Sequence, residues 1–298
     1  MHCVVTSPPY WGLRDYGVAG QIGLESSYVD YVNAMVGVFR KVRRVLRKDG
    51  TLWLNLGDSY TSGGRSSYGT YSPDSKQATH SAIKAVQRSP MPDGLKPKDL
   101  VGIPWRVAFA LQADGWWLRQ DIIWSKPNPM PESVTDRCTK AHEYLFLMSK
   151  SERYYYDAGA IKEAVTGNAH SRGNGVNPKA AQPGNGIKQN TSFSAAVKDL
   201  VSERNKRSVW EIATAPFPES HFATFPPDLI EPCILAGCPE GGTVLDPFGG
   251  AGTTGLVADR LKRDSILIEL NPDYAAMAER RIRNDAGMFA ELEHTGQS

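Results

Sequence analysis

Thr243-Val244-Leu245-Asp246-Pro247-Phe248-Gly249-Gly250-Ala251-Gly252-Thr253-Thr254 runs from a short apolar strand through a glycine-rich turn into a helix. Glycines 249, 250 and 252 admit backbone conformations closed to other residues and let the main chain approach a ligand. Glu269 stands about 23 residues beyond Asp246, at the end of the next apolar run. In a doubly wound fold that spacing suits an acid accepting hydrogen bonds from ribose hydroxyls. The pattern is not the Gly-x-Gly-x-x-Gly of a pyrophosphate loop, and an aspartate beside the turn would repel a phosphate. Taken alone, the segment is equally a structural strand–turn–helix with capping residues.

Working outward, helix Thr253 to Leu261, strand Ile266 to Ile268 and helix Pro272 to about Asn284 complete the C-terminal pattern. Upstream of the turn, a helix runs from Pro226 to about Gly237. Near the N-terminus, Cys3-Val4-Val5 reads as the end of a buried strand. From Tyr28 to Lys48, apolar residues at 28, 32, 35, 39, 42 and 46 mark one helical face, with basic residues in the last turns and Gly50 as the stop. Thr51 to Leu56 is a strand, Pro104 opens a helix to about Ala113, and Trp116–Trp124 and His142–Met148 are strands. Helices alternating with short, continuously apolar strands predict an α/β protein with a largely parallel sheet covered on both faces.

The chain has 298 residues, 41% hydrophobic and 22% charged, which fits an ordinary globular domain with a real core. No apolar run approaches the roughly 18 residues needed to cross a bilayer, and no secretory leader is visible at the N-terminus. Cys3, Cys138, Cys233 and Cys238 form no Cys-x-x-Cys pair, so neither a metal site nor a disulfide framework is predicted, and a cytoplasmic location is. The net charge of +2 is unevenly divided. Residues 61–100 carry six Lys/Arg against three Asp, and residues 160–207 carry eight against three acids. Residues 243–298 carry six against nine. The two basic segments are rich in Gly, Ser, Asn and Pro and read either as a phosphate-contacting surface or as solvated inserts.

A second short stretch, Thr6-Ser7-Pro8-Pro9-Tyr10-Trp11, follows the first strand. The two prolines fix two φ angles and remove two donors, so this corner is stiff and presents acceptors. Exocyclic amines of cytosine and adenine are poor nucleophiles because their lone pair is delocalised into the ring. Ser7 Oγ and a backbone carbonyl, that of Pro8, can each accept an N–H from such an amine and localise the pair on nitrogen. Tyr10 offers a face for stacking the base. A base reached this way has to leave the duplex, so flipping is implied. No covalent intermediate is needed.

The two stretches, in this order, resemble the signatures of the amino-group DNA methyltransferases of the β arrangement, the SPPY-type cytosine-N4 and adenine-N6 enzymes. That resemblance implies a Rossmann-like class I fold in permuted motif order, with a mixed sheet of the seven-stranded type. It implies S-adenosyl-L-methionine as cofactor, double-stranded DNA as substrate and a companion restriction endonuclease as possible partner. Ser7, Pro8, Pro9 and Tyr10 then carry the chemistry. Asp246, Pro247, Phe248, Gly250, Gly252, Thr253 and Glu269 hold the cofactor. His221 to Pro227 resembles the family segment that covers the cofactor from the other side, with Phe222 and Thr224 as its contacts; Phe222 and Phe225 serve either there or as core aromatics. Trp11, Asp58, Trp124, Lys126 and Asn128 match the family's base pocket and DNA contacts. Asp58 is either an orienting acid or a turn residue, Trp124 either pocket or core, and His142-Glu143 reads as structural.

The implied organisation is a catalytic half, 1–159, with a basic loop at 61–100, a target-recognition insertion, 160–207, and a cofactor-binding half, 208–298. Relatives carry a strand upstream of the proline corner, whereas this chain starts six residues before Ser7. The expectation is therefore a late start or a truncated version, with an unpaired sheet edge beside the Glu269 strand. Ser at the first motif position favours cytosine N4, with adenine N6 as the alternative. A protein-glutamine methyltransferase would carry its cofactor loop first. A catalytically dead DNA-binding remnant would bind DNA without the cofactor.

Overall fold

The structure is a computed structural model that describes residues 1–61, 94–165, 203–214, 225–286, 292–293 and 295. It comprises two units, residues 1–156 with 208–298, and residues 157–207. Most of the basic loop 61–100 and of the 160–207 segment lies outside the described residues.

In the larger unit the elements are β1 (Cys3–Thr6), α1 (Tyr28–Val45), β2 (Thr51–Leu56), α2 (Ile103–Ala113), β3 (Trp117–Ser125) and β4 (His142–Ser149). Within the smaller unit, β5 (Glu163–Ala164) and β6 (Glu203–Arg204) pair antiparallel, and Glu163 accepts from Arg204 Nε at 2.7 Å. The larger unit resumes with β7 (Val209–Glu211), α3 (Pro227–Gly237), β8 (Thr243–Asp246), α4 (Thr253–Arg260), β9 (Asp264–Leu267) and α5 (Pro272–Ala286).

The seven-stranded sheet has the order β7-β3-β4-β2-β1-β8-β9. β4 pairs antiparallel with both neighbours, and every other pairing in the sheet is parallel. β1 is buried along its whole length because it lies between β2 and β8, two strands from opposite ends of the chain. This α/β sheet is the expected mixed type. Its seventh strand, β7, pairs with β3 at the edge opposite β9, at a position where the sequence offers no strand signal. β9 has one strand neighbour among the described residues, β8, and leaves Ile266 42% exposed.

Local physics explains the element ends. Ser27 caps α1, accepting from Asp30 N at 3.1 Å, and that helix ends at Val45, three residues before the expected Lys48. Its buried stripe is Tyr31, Met35, Phe39 and Val42. Tyr31 replaces Tyr28 and Val32 at the start of the face because its hydroxyl reaches inward to Pro9 O at 2.8 Å. Gly252 caps α4 with φ +76°, and a Cβ there would sit 2.7 Å from the Ala278 Cβ on α5. Replacing Gly252 by Ala therefore combines a left-handed backbone with a helix–helix clash. A loss of about 1–3 kcal/mol of folding stability is expected, measured as a lowered midpoint in chemical denaturation.

Candidate active site

The carboxyl ends of β1 and β8 stand side by side, and this brings the two signature stretches together. Thr6 at the end of β1 donates to Asp246 Oδ1 at 2.5 Å, across 240 residues of sequence. Thr254, in the first turn of α4, donates to Asp246 Oδ2 at 2.7 Å, and Phe248 N donates to Oδ1 at 3.0 Å. Asp246 is 1% exposed. Burial pushes its carboxyl up to about 6, against the pull of these donors, and the nearby Glu269 adds to the rise.

Glu269 holds the tip of the glycine turn. Its Oε2 accepts from Gly250 N at 2.7 Å and its Oε1 from Asn271 N at 2.8 Å. Each oxygen retains a second lone pair, so two ribose hydroxyls can still be accepted. Gly250 itself has φ +48°. A cavity of about 300 Å³ opens between these groups, at the small end of the usual range for ligand pockets. Pro247, Phe248, Gly250, Thr253, Asp246 and Glu269 line it from the C-terminal half, and Ser7 and Pro9 line it from the N-terminal half. Its described wall contains the acids Asp246 and Glu269 and no lysine or arginine. Such a wall suits a cationic nucleoside and disfavours a phosphate.

The proline corner is held from behind. Tyr31 occupies the Pro9 carbonyl, whereas no described residue donates to the carbonyl of Pro8, which is left for a ligand. The Tyr10 ring lies so close to Gly57 that a Cβ there would collide with its edge, and its hydroxyl donates to Glu143 Oε2 at 2.6 Å. Burial raises that hydroxyl well above the ordinary tyrosine range, and the charge of Glu143 beside it raises it further, so Tyr10 stays protonated. Ser7 Oγ donates to Asn55 Oδ1 at 3.2 Å.

This geometry can be set beside known proteins. A family profile described as DNA methylase, of the N6/N4 type, matches residues 1–280. The chain belongs to this family of DNA methylases. The methylase is 51% identical over 280 residues to the Type II methyltransferase M.SmaI of Serratia marcescens, covering 94% of this chain and 83% of that one. It is 49% identical to M.Cfr9I of Citrobacter freundii, over 96% and 82% of the two chains. Among solved structures, PvuII DNA methyltransferase (cytosine-N4-specific) superimposes with a TM-score of 0.57 at 20% identity, over 96% and 84% of the chains. A DNA modification methylase of Thermus thermophilus, complexed with S-adenosyl-L-methionine and titled putative, gives 0.54 at 22%, over 97% and 87%. At that identity the likeness establishes the class I methyltransferase fold. The methyl donor of the enzyme is S-adenosylmethionine, a cation that fits an acidic wall free of basic residues.

The other residues named from sequence have the following places in the structure. Gly252 is not on the cavity wall; it is packed against α5. Asp58 caps α2, its Oδ1 accepting from Gly102 N at 2.9 Å and Ile103 N at 3.0 Å. Trp124 is 3% exposed and donates to Ile212 O at 2.8 Å, so it anchors the strand β7 to β3 and offers no free face to a base. Asn128 is exposed and exchanges two hydrogen bonds with the backbone of Thr214, at 3.0 and 3.2 Å. The Trp11 indole donates to Glu25 O at 2.9 Å and meets Tyr28 edge-on. Lys126 pairs with Glu143 at 2.5 Å. Phe222 and Thr224 lie outside the described residues, while Phe225 lines the cavity.

The sequence reading missed the loop that follows the proline corner. Tyr16, Val18, Gln21 and Ile22 form a wall of the cavity, and Tyr16 meets Tyr274 of α5 edge-on at 6.3 Å. The signal was available: Gly12, Gly17, Gly20 and Gly23 all take positive φ, which folds this short loop back over the pocket.

Ionised Asp246 favours a sulfonium ligand, and protonation removes that attraction. Affinity for S-adenosylmethionine is therefore expected to fall as the pH drops through about 6. Calorimetric titration across that range checks this, and Asp246→Asn should bind weakly with a flattened pH dependence.

Proposed function

We propose that this methylase acts on the exocyclic N4 of a cytosine flipped out of duplex DNA, as the modification half of a restriction–modification pair. The observation that carries the reading is the corner itself: a neutral serine hydroxyl on the wall of the cofactor cavity, next to a proline carbonyl that no described residue claims. The names of the relatives support it, since M.SmaI and M.Cfr9I are Type II methyltransferases and the PvuII enzyme is cytosine-N4-specific. When bound, S-adenosylmethionine supplies an electrophilic methyl group on a positively charged sulfur.

The residues of the chain do the rest. Ser7 Oγ and Pro8 O accept the two N–H bonds of the target amine. That pulls the nitrogen out of conjugation with the ring and turns its lone pair toward the cofactor cavity. Tyr10, clamped between Gly57 and Glu143, supplies a fixed aromatic surface beside the base. Rigidity matters because acceptors already in place cost no reorganisation as the reaction proceeds. The basic segments 61–100 and 160–207 are proposed to contact DNA phosphates, in keeping with their charge. The division into a catalytic half, a recognition insertion and a cofactor half is proposed on the same grounds.

Ser7→Ala should lower turnover by about 10²-fold with cofactor affinity intact, as loss of one preorganised partner does. Mass spectrometry of nucleosides from DNA treated with the wild-type chain should show N4-methylcytosine. N6-methyladenine alone would overturn the choice of base.

A further inference from the structure

Behind the proline corner, five side chains from four parts of the chain form one connected set of hydrogen bonds. Ser7 and Tyr10 follow β1, Asn55 is on β2, Lys126 follows β3, and Glu143 is on β4. Counting protons fixes the direction of every bond. A glutamate carboxylate only accepts and a lysine ammonium only donates, so Lys126 Nζ donates to Glu143 Oε1 at 2.5 Å. Tyr10 has one proton and gives it to Glu143 Oε2 at 2.6 Å, where the acceptor is charged, rather than to Asn55 Oδ1 at 3.1 Å. Asn55 Nδ2 spends its two protons on Glu143 Oε2 at 3.2 Å and Tyr144 O at 3.1 Å. With the amide nitrogen held there, the face that Asn55 turns to Ser7 is the acceptor Oδ1, at 3.2 Å.

The consequence falls on Ser7. Its single proton is directed inward, to Asn55 Oδ1 at 3.2 Å with the Tyr10 hydroxyl oxygen a longer alternative at 3.5 Å, so what its oxygen presents to the cleft is lone pairs. An amine localised by that oxygen needs this polarity. If the Asn55 amide were turned over, an N–H would face Ser7, occupy a lone pair and leave the serine proton pointing at the substrate. We infer that Glu143 is a positioning residue that fixes the polarity of the catalytic corner, with Lys126 holding its carboxylate in place and Asn55 transmitting the direction to Ser7. The Lys126 and Glu143 side chains are only 17% and 15% exposed, a costly placement for two charges unless the pair is held by further hydrogen bonds, as here. Lys126 also lies 4.2 Å from the Trp124 ring centroid, which seats the ammonium over an aromatic face.

The inference rests on Ser7 being the acceptor of the target amine. The charged and titratable groups facing Glu143 are Tyr10 from the corner, Lys126 after β3 and Lys140 before β4, with His142 beside it on its own strand. Of these, Tyr10 and Lys126 hydrogen-bond to it directly.

The test compares four variants with the wild type by maximal rate, calorimetric cofactor affinity and thermal midpoint. Glu143→Gln should lower the rate at least tenfold and leave cofactor affinity unchanged. The double variant Asn55→Asp with Glu143→Gln moves the acceptor-only group to position 55. It restores a fixed acceptor for Ser7 and should recover much of the lost rate. Lys126→Met removes the donor that holds Glu143 Oε1 and should lower the maximal rate with cofactor affinity unchanged; this arm decides the matter should Glu143→Gln fail to fold. A folded Glu143→Gln with the wild-type rate would overturn the inference, as would a wild-type rate in Lys126→Met or a double variant no faster than Glu143→Gln. Ser7→Ala separates the two readings. If it retains full turnover, the assignment of Ser7 fails; if only it loses turnover, the role of Glu143 alone is wrong.

Discussion

The buried carboxylate of Asp246 is the junction on which the rest of the molecule depends. One oxygen accepts from Thr6 at the end of β1 and from the Phe248 amide, and the other accepts from Thr254 at the start of α4. Those donors belong to the N-terminal strand, the glycine turn and the helix behind it. A carboxylate enclosed this fully is tolerated because each of its oxygens has at least one donor. By satisfying itself, it sets the central strand, the turn and the helix at one relative position. The cavity, with the proline corner as one wall, follows from that.

Two electrostatic characters meet in this cavity. On the cofactor side, Asp246 and Glu269 carry negative charge into a described wall without lysine or arginine, which selects a cation over a nucleotide phosphate. On the substrate side the reacting surface is neutral, a serine oxygen and a peptide carbonyl, while the nearby charges of Lys126 and Glu143 neutralise one another at 2.5 Å. In the proposed mechanism the base amine meets acceptors without meeting a full charge. Methyl transfer between a cationic sulfur and a weakly nucleophilic nitrogen asks for this division of labour.

Much of this was legible in the sequence, for identifiable reasons. The strand–turn–helix at 243–261 and the corner at 6–11 rely on glycine and proline, whose backbone restrictions are local and need no tertiary context. The strands β1, β2, β4 and β8 read through as apolar runs because the sheet buries them, and Glu269 was visible from its spacing. What escaped depended on long-range contacts. Tyr31 was hidden because its burial is set by Pro9, 22 residues away. Trp124 and Asp58 looked like pocket residues because motif position says nothing about which partner claims a side chain. β7, three residues long, is a strand by virtue of β3 beside it. Glu143 looked structural because it opens an ordinary strand, and its meaning emerges only when Tyr10, Asn55 and Lys126 converge on it.

The reversal of β4 has a further geometric consequence. In a sheet whose strands all ran one way, the rim where chemistry happens would be reached only by residues at the finish of each strand and by the loops beyond them. β4 arrives from the opposite direction and is paired so that Tyr144 sits across from Leu56. Its opening residues therefore land on that same rim. The hairpin thus inserts a side chain braced by hydrogen bonding on both flanks where a one-way topology would offer a free-standing loop. A carboxylate mounted on such a frame has little freedom to wander.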